Sequence, residues 1–109
     1  MATINLSVSY VGDSASRYDT IRVGSASMTM GDTGYMGIPF RGVSKVTAYV
    51  YPSTGGTVKI SISPDSDSAD AIEYMAITAK SVVNLTGLLI SGIWFEASGA
   101  DAKVVVIVS

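Results

Sequence analysis

The sequence predicts an all-β protein: a single-domain antiparallel β-sandwich, jelly-roll-like, with about eight strands. Three observations carry that expectation. Apolar and polar residues alternate with a period of two along much of the chain, the pattern of strands buried on one face. Clusters of Gly, Pro, Ser and Asp interrupt the alternation at short intervals, as turns between strands do. Nearly half of the residues are apolar (48%) while 15% are charged, and the 109 residues suffice for one two-layer core without metal or disulfide support. Residues 1–109 are therefore read as one domain.

Ile4, Leu6, Val8 and Tyr10 alternate with Thr3, Asn5, Ser7 and Ser9, which reads as an amphipathic first strand. Gly12 to Ser16 reads as a loop, and a second strand is expected from Tyr18 to Val23. Between Gly24 and Gly42, five glycines and Pro39 break any long element, leaving an irregular segment with a short strand around Met28 to Met30. Val43 to Tyr51 and Thr57 to Ser63 read as a hairpin across Pro52-Ser53-Thr54-Gly55-Gly56. Val46, Ala48 and Val50 should then face inward opposite Val58, Ile60 and Ile62, with Lys45, Thr47, Tyr49 and Tyr51 outside.

Pro64 to Asp70 reads as a polar turn in which Asp and Ser side chains satisfy their own backbone. Two readings compete for the segment after it. Asp70 and Glu73 have the spacing of a capping box that would open a helix to Lys80, but a strand from Glu73 to Thr78 fits a chain whose other elements are all strands, and is preferred. A short strand from Val82 to Leu85 leads into two closing strands within Leu88 to Val108, joined by Ser98-Gly99-Ala100-Asp101. In the first of these, Ile93, Phe95 and Ala97 oppose Gly92, Trp94 and Glu96. The second, Val104 to Val108, is apolar on both faces, so it must be covered on both sides, which one small domain achieves poorly alone.

Composition excludes several function classes. The chain has no histidine and no cysteine, so His-based triads, thiolate nucleophiles and common zinc sites are absent by inventory. A net charge of −2 with seven scattered Lys and Arg leaves no basic stripe for nucleic acid. No signal peptide is expected from residues 1–6, and no stretch reaches the roughly 20 apolar residues of a membrane-spanning helix. Asp65, Asp67 and Asp70 suggest a calcium loop, but an EF-hand begun at Asp65 would put Asp70 at the glycine position and Ala76 at the bidentate Glu position. Gly31 to Gly37 lacks the Gly-Lys-Ser/Thr ending of a phosphate loop, and Asn84-Leu85-Thr86 matches a glycosylation acceptor only by its three residues. Tyr49, Tyr51 and Trp94 suggest either an aromatic platform for sugar or contact surface between subunits; the second reading is preferred because no Asn, Gln or Arg cluster accompanies them. No cofactor, metal or catalytic residue is assigned.

From residue 56 onward the chain resembles small bacteriophage virion proteins. The likeness lies in Thr57 to Ser63, Asp67, Tyr74 to Ala79, Val82 to Gly87, and the Ser98-Gly99 turn before Lys103 to Val108, about half of the chain. What the resemblance implies is a sandwich that works as a homo-oligomer, often a homotrimer, in a virion assembled in the host cytoplasm. Most concretely, it implies a head decoration or cement protein bound to the major capsid protein. The alternatives are a tail or head-to-tail connector component, or a carbohydrate- or receptor-binding module. Contact residues are expected at Tyr35, Met36, Ile38 and Phe40, in a loop whose deletion from Gly34 to Ile38 would spare the fold, and at Tyr49 and Tyr51.

Overall fold

The structure, a computed structural model, describes residues 3–6, 8–11, 20–23, 26–28, 31–37, 46–65, 67–85 and 90–108. Among the described residues, eleven strand segments fall into two sheets. The first sheet has the order β1 (Thr3–Asn5), β5 (Thr33–Gly37), β10 (Gly92–Ser98), β7 (Thr57–Ser63) and β8 (Ile72–Ile77). The second runs β2 (Val8–Val11), β3 (Thr20–Val23), β11 (Ala102–Val108), β6 (Val46–Pro52) and β9 (Ser81–Asn84), with β4 (Ala26–Met28) also paired to β11. The parallel pair β1–β5 aside, the described pairings are antiparallel. The molecule is an all-β sandwich, as the period-two pattern requires.

The inner faces follow from alternation. Ile93, Phe95 and Ala97 of β10, Val58 and Ile60 of β7, Val46, Ala48 and Val50 of β6, and Val104 and Val106 of β11 are all buried and form one cluster. Ile62 packs partly buried against it. Each inward row belongs to one strand, so the core lies between sheets whose outer faces carry Thr47, Tyr49, Lys59, Ser61, Trp94 and Glu96.

Three expectations are corrected. First, β6 and β7 are not a hairpin. β6 pairs with β11 and β9, and β7 pairs with β10 and β8. Their inward rows meet across the sandwich rather than along one ladder. The connection is an arch from one sheet to the other, and β10–β11 is a second arch returning beside it. The two arches stack: the Ser53 N–H donates to the Asp101 carbonyl at 2.9 Å, and a Cβ on Gly99, at φ +81°, would lie 2.7 Å from the Gly55 carbonyl oxygen.

Second, the glycine-rich segment is more regular than its composition implies, because Thr33–Gly37 is a strand between β1 and β10. Met36 is therefore not a contact residue in a loop: its side chain is 1% exposed, in the core. Deleting Gly34 to Ile38 would remove a strand held on both sides. Ile38 and Phe40 lie outside the described residues, as do Lys45 and the Gly12 to Ser16 loop. The short strand expected at Met28 to Met30 is seen at Ala26–Met28.

Third, the first strand is split. β1 joins one sheet and β2 the other, so the chain crosses the sandwich near Leu6, whose N–H donates to the Tyr35 carbonyl at 2.8 Å. The preferred strand reading after Asp70 holds, as Ile72–Ile77 is strand. A bulge sets in where Ile60 pairs with Met75 and Ser61 with Glu73, leaving Tyr74 as the extra residue on this edge strand.

Candidate functional site

Among the described residues, two surfaces stand out. The first is the outer face of the β2–β9 sheet. Val82 of β9 pairs with Tyr49 of β6, and Tyr49 pairs with Val105 of β11, so the three side by side form an apolar row across three strands. Val82 is 62% exposed, while Tyr49 and Val105 are half-buried. Next to the row, Tyr51 is 38% exposed and Lys103 Nζ stands 5.6 Å from its ring centroid, a cation–π contact. β11 thus has Val104 and Val106 inside and Val105 turned to the outer face. On that face Val105 keeps part of its surface exposed. Ile72 (70% exposed) and Tyr74 of the edge strand β8 add apolar surface to the neighbouring edge.

The second surface is a shallow open cleft of about 600 Å³ on the outer face of the other sheet, lined by Thr3, Tyr35, Asp65, Asp67, Ser68 and Trp94. Its floor is a cross-strand aromatic pair. Trp94 of β10 sits directly opposite Tyr35 of β5, with ring centroids 4.9 Å apart and planes tilted by 43°. Both residues are half-buried. Tyr49 and Tyr51 lie on the opposite sheet and share no platform with Trp94, whose aromatic neighbour is Tyr35, so the platform reading set aside from the sequence is not formed by those three residues.

One wall is the 64–70 turn, which its own side chains hold in shape. Ser63, buried at the end of β7, donates its hydroxyl to Asp65 Oδ1 at 2.7 Å and accepts the Asp65 N–H at 3.2 Å. Asp65 Oδ1 also accepts the Asp67 N–H at 3.0 Å. Asp67 caps the 3₁₀ turn Ser68–Asp70 by accepting the Ala69 N–H at 2.9 Å. The reading of this segment as a self-satisfied turn is thus matched in detail, with Asp67 as the cap of its 3₁₀ turn.

The same bonds set the protonation order of two carboxyls. The Ser63 hydroxyl, the Asp67 N–H and a shared hydrogen bond with Asp70 hold Asp65 below the ordinary value of 3.8. Asp70 is pushed above 3.8 by the same shared hydrogen bond and by the Asp65 charge. Between the two values the pair carries one proton and one charge. The contribution of Asp65 is lost as pH falls through its lowered value, and that of protonated Asp70 is lost as pH rises through its raised one. Carboxyl NMR titration is expected to show Asp65 ionising before Asp70, and Ser63→Ala is expected to move Asp65 up. An unchanged Asp65 in that variant would show that the Ser63 bond does not set it.

No protein-family model matches the sequence, and no curated protein does. Solved structures do. The chain is 9% identical to PliG of Aeromonas hydrophila, a periplasmic inhibitor of g-type lysozyme, with a TM-score of 0.58 over 99% of this chain and 96% of that one. It is 10% identical to a chain of Bacillus endospore appendages, a family of disulfide-linked pili, with a TM-score of 0.59 over 94% and 88%. At such identities the likeness establishes the fold, the all-β sandwich, across nearly the whole length.

Of the contact residues expected from sequence, Tyr49 and Tyr51 share one outer face and Tyr35 lies on the other. Val82, Val105 and the Tyr35–Trp94 pair were missed as groups. The signal for Val105 was present in the run Val104 to Val108, whereas the partners of Tyr35 depend on strand order, which local pattern does not contain.

Proposed function

We propose that the protein is a non-enzymatic structural subunit that assembles with copies of itself, in its most concrete form a decoration protein on the head of a bacteriophage. The observation that carries the reading is the apolar row Val82–Tyr49–Val105 on the outer face of the β2–β9 sheet, with Tyr51 beside it. Three strands hold these side chains in fixed register, so they form a preorganised patch whose burial releases water without a large ordering cost. Copies related by a three-fold axis that passes beside the patch would bring three such rows together and close as a trimer. An interface on the order of 1,600 Å² is the usual size for such contacts.

The virion setting rests on the resemblance of residues 57–108 to phage virion proteins. The likeness to the endospore pili adds the sandwich fold alone, and these 109 residues hold no cysteine with which to link a fibre by disulfides.

The test is occupancy on shells. Purified protein added to phage heads stripped of decoration should bind in a saturable ratio, and Val82→Glu should weaken binding at least about tenfold, since a lone carboxylate would be buried at the contact. Val82 is exposed in the single chain, so this variant keeps the fold. Equal occupancy by wild type and Val82→Glu would remove the assigned face. Binding to tails rather than heads would favour the connector reading.

A further inference from the structure

From the cleft on the opposite sheet we infer a second activity: the Tyr35–Trp94 pair and the 64–70 turn form a binding site for a neutral saccharide. The site is independent of assembly, since it lies on the outer face of the β1–β8 sheet, away from Val82 and Tyr49. Three features point to this ligand class. Tyr35 and Trp94 are half-buried, yet their rings line an open cleft, and an aromatic face beside polar groups matches a sugar ring, which has an apolar C–H face and a polar rim.

The polar lining suits hydroxyls. Asp65 and Asp67 are acceptors fixed by the Ser63, Asp67 and Ala69 hydrogen bonds, while Ser68 and Thr3 carry hydroxyls that donate or accept. Sugar hydroxyls donating to held carboxylates make charge-assisted hydrogen bonds without reorganising the loop. The third feature is shape and charge. The cleft is open, so a sugar ring can reach the Tyr35–Trp94 floor with its rim in solvent. Two carboxylates in the wall disfavour anionic sugars. Lys59, on the same face, is engaged by Glu96 at 3.4 Å.

Trp94 is the chain's only tryptophan, so its fluorescence reports this cleft directly. Hexasaccharides of glucose, N-acetylglucosamine, mannose and galactose would be titrated against the whole protein, after a glycan array has widened the panel, with hexa-arginine as the cationic control. At least one neutral saccharide is expected to change the emission saturably. Tyr35→Phe should keep affinity within a few-fold, Tyr35→Ala should lower it at least tenfold, and Lys80→Ala should leave it unchanged. Should Tyr35→Ala prove unfolded by circular dichroism, Trp94→Ala followed by calorimetry replaces it. The inference is overturned if no neutral saccharide binds, if only hexa-arginine does, or if binding survives removal of both rings. None of these outcomes alters the oligomeric state, so failure here is distinct from failure of the assembly reading.

Discussion

Phe95→Ala is expected to destabilise the protein by about 3–5 kcal/mol, the usual cost of emptying a fully buried aromatic site. Phe95 is 0% exposed at the centre of β10, a strand paired on both sides. Its register neighbour on β5 is Gly34, which has no side chain to move into the space. Its other neighbour, Ile60, is itself fully buried. Small domains are stable by only about 5–15 kcal/mol in total, so the variant would sit near its unfolding threshold. Urea denaturation of wild type and variant measures the difference; a loss under about 1 kcal/mol would mean that the core is not built around this residue.

Gly99→Ala is expected to be the most damaging change outside the core. The residue sits at φ +81°, where a side chain costs on the order of 1–3 kcal/mol in backbone strain. Its Cβ would also stand 2.7 Å from the carbonyl oxygen of Gly55, a backbone atom of the neighbouring arch that has no flexible end to swing aside. Gly55 has the same φ but open space around it. Gly55→Ala should therefore show the backbone strain alone. The difference in melting temperature between the two variants isolates the stacking of the arches, and equal losses would contradict it.

That stacking also marks what the sequence could and could not reveal. Which side of each strand faces the core was readable, because alternation is local: Ile93, Phe95 and Ala97 on β10 and Val46, Ala48 and Val50 on β6 are buried as expected. Which strand pairs with which was not. The residues 53–56 suit a hairpin turn and an arch equally well, and the choice was made by β11 and β10, which offer β6 and β7 longer ladders of seven register pairs each. Strand β5 was hidden by its glycines, which read as loop until β1 and β10 hold Thr33–Gly37 extended between them.

The candidate surfaces divide the same way. Val105, between two core valines on β11, announced an apolar outer face from sequence alone. The Tyr35–Trp94 pair arises from residues 59 positions apart, brought opposite each other by sheet order, and nothing local to either residue indicates it. The turn chemistry of Asp65 and Asp67 was readable because an Asx side chain reaches a backbone N–H two residues on.

The mass of the native protein in solution tests most directly whether the outer face of the β2–β9 sheet is an assembly surface. Sedimentation equilibrium across a hundredfold range of concentration is expected to give a multiple of 11.3 kDa, with a trimer as the leading form, and a return toward a single chain for Val82→Glu. A wild-type mass of 11.3 kDa at every concentration would contradict it.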